Sequence, residues 1–83
     1  MNYFTYIIQC ENSKYYIGHT NSISKRFNRH LLKQGAEFTK QNKPLKVAWY
    51  QKFKNEIDAI EREKQIKGWS RLKKDKLIKG IWK

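Results

Sequence analysis

The sequence predicts an α+β domain in which a three-stranded antiparallel sheet is flanked by helices. Two runs rich in aromatic and β-branched residues lie within the first twenty residues, with turn-forming residues between them. A third such run covers residues 45–53, and the stretches before and after it repeat apolar residues at helical spacing. The predicted order of elements is β-β-α-β-α-α.

The first two runs, residues 3–10 and 14–19, are predicted to form a β-hairpin. The first run is apolar almost throughout, which favours a central strand covered on both faces. The residues between the runs, Glu11-Asn12-Ser13, suit a loop of five residues or fewer. Cys10 is the only cysteine, so an internal disulfide and a cysteine-based zinc site are excluded, and we expect a small core residue.

The first helix is predicted to follow Asn21-Ser22, a favourable N-cap sequence. Arg26 and His30 lie along one edge of its apolar stripe, where a helix can present polar groups to a cleft beside a sheet. Gly35 is expected to end this helix. The stripe itself repeats every four residues and consists of Ile23, Phe27 and Leu31.

The polar stretch 35–44 leads to the third strand, residues 45–53. Asn55, with Asp58 three residues later, is predicted to begin the next helix as a capping box does. Gly68-Trp69-Ser70 would end that helix, and Ser70 would cap the last one, which Gly80 ends. The expected core side of the last helix is Leu72, Leu77 and Ile78.

One carboxylate interrupts the apolar face of the helix after the third strand. Glu63 is four residues past Ala59 and three past Ile60. Burying a lone carboxylate is costly unless it is paired or binds a metal. The alternative is a surface pair between Glu63 and Lys67 at i,i+4, which is worth a few tenths of a kcal/mol.

The chain has a large excess of positive charge. Its 83 residues, which we interpret as a single domain (1–83), contain 19 Lys+Arg against 7 Asp+Glu, for a net charge of +12. Polyanions are the usual partners of such proteins. The alternatives are a ribosome-associated protein or a lysine-rich soluble surface. No stretch approaches membrane length and no charged leader precedes an apolar run, so a cytoplasmic protein is expected.

The two tyrosine runs resemble the paired signature of the GIY-YIG nuclease superfamily, especially its small stand-alone bacterial members. The resemblance covers roughly residues 3–80. It rests on Tyr6 with Tyr16-Ile17-Gly18, on the helix that carries Arg26 and His30, and on residues 59–71. The family fold, a three-stranded antiparallel sheet flanked by helices, agrees with the prediction from the residues.

The resemblance implies metal-assisted hydrolysis of a DNA phosphodiester. Glu63 would hold one divalent cation, Mg²⁺ or Mn²⁺. Tyr6 or Tyr16 would orient or deprotonate the attacking water, and which of them acts stays open. Arg26 would stabilise charge on the transition-state phosphate, and His30 would position the phosphate or a tyrosine hydroxyl.

Each of these residues also has a structural alternative. Tyr6 and Tyr16 can be core aromatics with hydroxyls at the surface, Arg26 a solvated cation, and His30 a boundary residue bonded to a backbone carbonyl. His19 can be an accessory phosphate contact or a surface turn residue. The remaining candidates for DNA contact are Lys40, Lys43, Lys67, Trp69, Arg71, Lys73 and Lys74, with the tryptophan stacking on an unpaired base.

The leading hypothesis is therefore a metal-dependent DNA endonuclease of repair or recombination with little sequence specificity, a monomer that other proteins could direct to its targets. The first half-motif, Phe4-Thr5-Tyr6, lacks the family's Gly-Ile. Many family members also use a late asparagine, and this chain has none after Asn55, so a low or conditional activity is expected. The alternatives are a catalytically weak or inactive nucleic-acid-binding module of the same fold and, last, a protein without a nucleic-acid partner.

Overall fold

The computed structural model describes residues 2–32 and 41–80. The described part of the chain contains three strands and three helices in the predicted order, which confirms the α+β class. The predictions for Gly35 and Lys40 lie outside the described residues. The elements are β1 (Tyr3–Cys10), β2 (Lys14–Thr20), α1 (Ile23–Leu31), β3 (Pro44–Phe53), α2 (Glu56–Lys67) and α3 (Arg71–Ile78).

The sheet has the order β2-β1-β3, and both pairings are antiparallel. The prediction that residues 3–10 form the central strand is confirmed. In this ladder Tyr6 lies opposite Gly18 on one side and Tyr50 on the other. A single 3₁₀ turn, Glu11–Ser13, closes the hairpin, and Asn12 adopts φ 62°, a left-handed conformation that asparagine tolerates better than most residues.

The period-two alternation of β1 divides the core into two clusters, one on each face of the sheet. On the α1 face, Tyr6, Ile8 and Cys10 are buried against α1. On the α2–α3 face, Ile7 packs with residues of both later helices, and the Thr5 hydroxyl donates a hydrogen bond of 2.7 Å to the Ala59 carbonyl. Cys10 is a buried free thiol, as expected.

Side-chain caps begin the two later helices where the sequence predicted them. The Asn55 side chain accepts a hydrogen bond of 2.9 Å from the Asp58 N–H, and the Ser70 hydroxyl accepts one of 3.3 Å from the Lys73 N–H. Ser22 occupies the N-cap of α1 but makes no side-chain cap bond. The later helices therefore carry the stronger local start signals.

Two leucines predicted to be buried are exposed: Leu31 is 43% and Leu72 is 63% accessible. A repeat of four residues drifts around a helix with 3.6 residues per turn, so Leu31 turns away while His30 is buried instead. On α3, Leu72 lies five positions before the buried Leu77, which places it on the other side of the helix.

Candidate active site at the β2 edge

The ring of Tyr6 lies directly against Gly18. A Cβ atom on Gly18 would be 2.6 Å from the Tyr6 hydroxyl oxygen and 2.8 Å from its Cζ, closer than real Cβ atoms approach. Only glycine therefore allows the Tyr6 side chain to cross β2. Because β2 is an outer strand of the sheet, the Tyr6 hydroxyl reaches the sheet edge although the residue is almost fully buried.

Two further aromatic rings surround the Tyr6 hydroxyl on the α1 face. The His30 Nε2 atom lies 3.3 Å from the Tyr6 hydroxyl oxygen, and the Tyr16 ring centroid lies 4.9 Å from that of His30. Burial and then the charges of Arg26 and Arg29 lower the pKa of His30, so its imidazole is neutral at neutral pH. His30 is completely buried rather than a boundary residue, and through Nε2 it can accept the Tyr6 proton in a hydrogen bond.

The Tyr6 hydroxyl stays protonated at neutral pH. Burial raises the pKa of Tyr6, the neighbouring Tyr16 and Glu63 raise it further, and Arg26 opposes the shift. Arg26 belongs to α1 and Glu63 to α2, which pack on opposite faces of the sheet. Both charged groups are therefore within electrostatic reach of one hydroxyl at the sheet edge.

Arg26 is half-buried one helical turn before His30. Within residues 2–32 and 41–80, its guanidinium has no hydrogen-bond or ion-pair partner. A planar guanidinium presents several donors that match two oxygens of a phosphate. Among the described residues Arg26 therefore has unused donors, and its charge affects the pKa of both His30 and Tyr6.

Two side chains, His19 and Lys67, contact the Glu63 carboxylate. His19 Nδ1 lies 2.5 Å from its Oε1 atom, and Lys67 Nζ lies 2.6 Å from its Oε2 atom. Burial raises the pKa of Glu63, but hydrogen bonds from Lys67 and His19 and their charges outweigh burial and leave the pKa below its ordinary value. The i,i+4 pair with Lys67 is thus present, together with a contact to His19 that sequence reasoning missed.

The alternation of side chains along β2 contains a signal for the contact between His19 and Glu63. His19 lies two residues past Ile17, which is buried on the α2–α3 face, so the His19 side chain points to the face where Glu63 lies. Tyr16 and Gly18 have the opposite parity and face α1 with Tyr6. The hairpin therefore distributes its polar groups to both faces at one edge.

Arg71 fastens α3 to the hairpin. Its guanidinium lies 3.8 Å from the centre of the Tyr15 ring and 3.2 Å from an Asp75 carboxylate oxygen, and it donates to the Ser13 carbonyl. The Tyr15 hydroxyl donates a 2.5 Å hydrogen bond to the same Asp75 oxygen. The predicted DNA contact is therefore engaged in an internal network in this structure.

Trp69 packs half-buried against the core of the α2–α3 face. The Arg62 guanidinium lies over its ring at 5.2 Å and over the Trp49 ring at 5.7 Å. Sequence reasoning missed Arg62, because the two tryptophans that flank it come from different elements. Of the lysine candidates for DNA contact in the described ranges, Lys43, Lys67 and Lys73 are exposed and Lys74 is half-buried.

No helix in the described parts of the chain is long and apolar enough to cross a membrane.

Comparison with known proteins agrees with this architecture. A sequence model of the GIY-YIG catalytic domain matches residues 2–76. The chain is 37% identical over 76 residues to a UPF0213 protein of Staphylococcus saprophyticus, covering 92% of this chain and 93% of the relative. It is 32% identical over 78 residues to a UPF0213 protein of Staphylococcus aureus, covering 94% and 95% of the two chains.

A solved structure has the same fold. The solution NMR structure of a UPF0213 protein from Bacillus halodurans superposes with a TM-score of 0.60 at 29% identity, covering 95% of this chain and 84% of that one. The names of these relatives state no activity. Because the domain model matches most of the chain, this protein belongs to the GIY-YIG catalytic domain family, a nuclease family that acts on nucleic acids and generally uses a divalent metal.

Proposed function

We propose that this protein is a stand-alone DNA endonuclease that hydrolyses phosphodiester bonds with one divalent cation, Mg²⁺ or Mn²⁺. One observation carries the proposal: the Tyr6 ring crosses β2 at Gly18 on the face of α1, which carries Arg26, and next to it His19 contacts Glu63 of α2 on the opposite face. Packing alone does not require these groups to converge. In phosphodiester hydrolysis a cationic side chain can stabilise the phosphate, a carboxylate can hold a divalent cation, and a hydroxyl can orient the attacking water.

Glu63 fits a metal site with a single protein ligand. In residues 2–32 and 41–80 no three histidine, cysteine, aspartate or glutamate side chains form a group that could hold a metal. An ionised carboxylate offers about four acceptor positions, and His19 and Lys67 use one on each oxygen. Mg²⁺ commonly combines one or two carboxylates with waters and substrate phosphate oxygens. When bound there, the cation would polarise the phosphate and stabilise charge on the leaving oxygen.

We assign the remaining roles in the reaction to two tyrosines and an arginine. Tyr6 is buried, protonated and bonded to His30, so we assign it to positioning. Tyr16 is half-buried beside the same histidine, so we assign it to contact with the attacking water. Arg26 would bind two phosphate oxygens and stabilise the charge that develops on them.

The substrate class follows from charge and from the family. A net charge of +12 favours a polyanion. Contacts to the phosphate backbone carry no sequence information, so little intrinsic specificity is expected. We propose that Lys43, Lys67, Lys73 and Lys74 make such contacts, together with Lys40, and that Trp69 stacks on an unpaired base. A role in DNA repair or recombination would suit such an enzyme.

One observation favours a second candidate, a nucleic-acid-binding module of the same fold with little or no catalysis. Both oxygens of Glu63 already contact His19 or Lys67, so a cation must share or replace these partners. Such a module would bind DNA in a salt-sensitive way, with log Kd changing by about 0.9 per log unit of salt for each phosphate neutralised.

The test is cleavage of supercoiled plasmid and of branched DNA in Mg²⁺ or Mn²⁺. Glu63→Gln removes the charged ligand while keeping the shape, and Glu61→Gln, an exposed position on the same helix, is its control. Arg26→Ala should lower the cleavage rate by about a hundredfold or more, whereas Lys25→Ala, its exposed neighbour, should not.

Fluorescence anisotropy with the same DNA separates the two candidates. Cleavage by the wild type and both controls, with binding but no cleavage by Glu63→Gln, supports the nuclease. Equal cleavage by Glu63→Gln would refute it. Salt-sensitive binding without cleavage by any variant would support the binding module.

A further inference from the structure

The shortest contact at the Glu63 carboxylate comes from His19, a residue to which neither the family nor the sequence assigns this contact. We propose that His19 is a positioning residue that fixes the Glu63 carboxylate for the divalent cation. The inference rests on the proposed function, because it concerns the same metal ligand. It assigns to His19 a role other than phosphate contact or a surface turn.

The direction of the hydrogen bond follows from charge. An ionised carboxylate can only accept hydrogen bonds, so the imidazole is the donor in this contact. The distance of 2.5 Å from His19 Nδ1 to Oε1 is that of a strong, charge-assisted bond. His19 must therefore carry a proton on Nδ1.

The imidazole lies between the strand and the helix. His19 is part of β2, where it pairs with Thr5 of the central strand, so its backbone cannot shift freely. Its Nε2 atom lies 3.7 Å from a carboxylate oxygen of Glu56, two helical turns before Glu63 on α2. The His19 ring thus lies between β2 and the side chains of Glu56 and Glu63 on α2, which limits the orientations that Glu63 can adopt.

Lys67, the other partner of Glu63, differs in this respect. It is on the same helix at i,i+4 and its side chain is 52% exposed, against 31% for His19. The exposed, flexible Lys67 side chain can therefore turn from Glu63 to a phosphate, whereas the backbone of His19 is held in β2.

Hydrogen-bond partners of metal-binding carboxylates typically change metal affinity by about tenfold to a hundredfold when removed. We therefore expect His19→Ala to raise the Kd for Mn²⁺ by about tenfold to a hundredfold. His19→Asn, whose amide can place a donor near the position of Nδ1, should restore affinity to within a few-fold of the wild type. Lys67→Met should change it by no more than about threefold.

The experiment is a titration of the full chain with Mn²⁺ alone, followed by paramagnetic broadening of backbone amide signals. Thermal unfolding of each variant shows whether it is folded. If Glu63→Gln abolishes site-specific broadening and His19→Ala weakens it with rescue by His19→Asn, the inference stands. If Glu63→Gln abolishes it and His19→Ala leaves it unchanged, the inference is overturned and the metal site survives. If Glu63→Gln binds as the wild type does, the proposed metal site fails and the inference fails with it.

A second readout needs no metal and no activity. Nitrogen-15 NMR of the His19 imidazole in the wild-type protein should show a protonated Nδ1, with its proton protected from exchange by the bond to Glu63. An imidazole with an unprotonated Nδ1 at neutral pH would overturn the inference, whatever the variants do.

Discussion

Gly18→Ala tests the contact that brings Tyr6 to the sheet edge. The new Cβ would lie 2.6 Å from the Tyr6 hydroxyl oxygen, which is 0.8 Å less than the 3.4 Å at which ordinary contact begins. Tyr6 is 2% exposed, so its ring has little room to retreat. Overpacking of this kind costs about 1–3 kcal/mol.

In a domain of this size each kcal/mol lowers the melting temperature by about 4–8 °C, so the expected loss is between about 4 and 24 °C. Gly68→Ala is the matched control. The nearest atom there is the Gln65 carbonyl oxygen at 3.5 Å, an ordinary contact. That variant should stay within about 0.5 kcal/mol of the wild type.

A double variant identifies the clashing atom. Tyr6→Phe removes the hydroxyl, so Gly18→Ala should cost less in the Tyr6→Phe background than in the wild type. The assay is differential scanning calorimetry, with plasmid cleavage measured at a temperature where all variants are folded. A Gly18→Ala protein that melts with the Gly68→Ala control and cleaves DNA at the wild-type rate would refute the reasoning.

Two further predictions concern a buried histidine and a structural arginine. The pKa of His30 is lower in the folded protein than in the unfolded chain, so the unfolded chain binds a proton near pH 6.5 that the folded protein does not. The free energy of unfolding should therefore fall as the pH drops from about 7 to about 5. Urea melts across this range should show the slope in the wild type and a smaller one in His30→Gln, and identical slopes would contradict the prediction. Arg71→Ala loses its stack on Tyr15 and its ion pair with Asp75, and should lower stability by about 1 kcal/mol while cleavage persists below the transition. Loss of cleavage with an unchanged melting temperature would instead place Arg71 at the substrate.

Local signals in the sequence were sufficient to predict the central strand and the starts of the two later helices. The continuous apolarity of residues 3–10 predicted a strand covered on both faces, and β1 is the central strand. Asn55 and Ser70 predicted helix starts, and both side chains accept the expected backbone bonds. These signals involve only a few neighbouring residues, so they can be recognised without knowledge of any tertiary contact.

Contacts between distant residues were not predictable in the same way. His19 and Glu63 are separated by 44 positions, and only the fold brings them together. Arg62 lies between tryptophans of β3 and of the turn after α2. The failure at Leu72 has another cause, because α3 spans only eight residues and too short a window remains to distinguish its buried side by periodicity.

The strand order explains why the site lies at an edge. Tyr6 faces α1, whereas Glu63 extends from α2 on the opposite face, and a continuous sheet would separate the two groups. Tyr6 is on the central strand, so its side chain needs to cross only β2 to leave the sheet. At that crossing β2 carries Gly18, and next to it His19 turns to the other face and binds Glu63. A further strand paired outside β2 would cover this edge. The order β2-β1-β3 therefore does more than build a core, because it leaves one edge to which polar side chains extend from both faces, as the proposed hydrolysis of a phosphodiester needs.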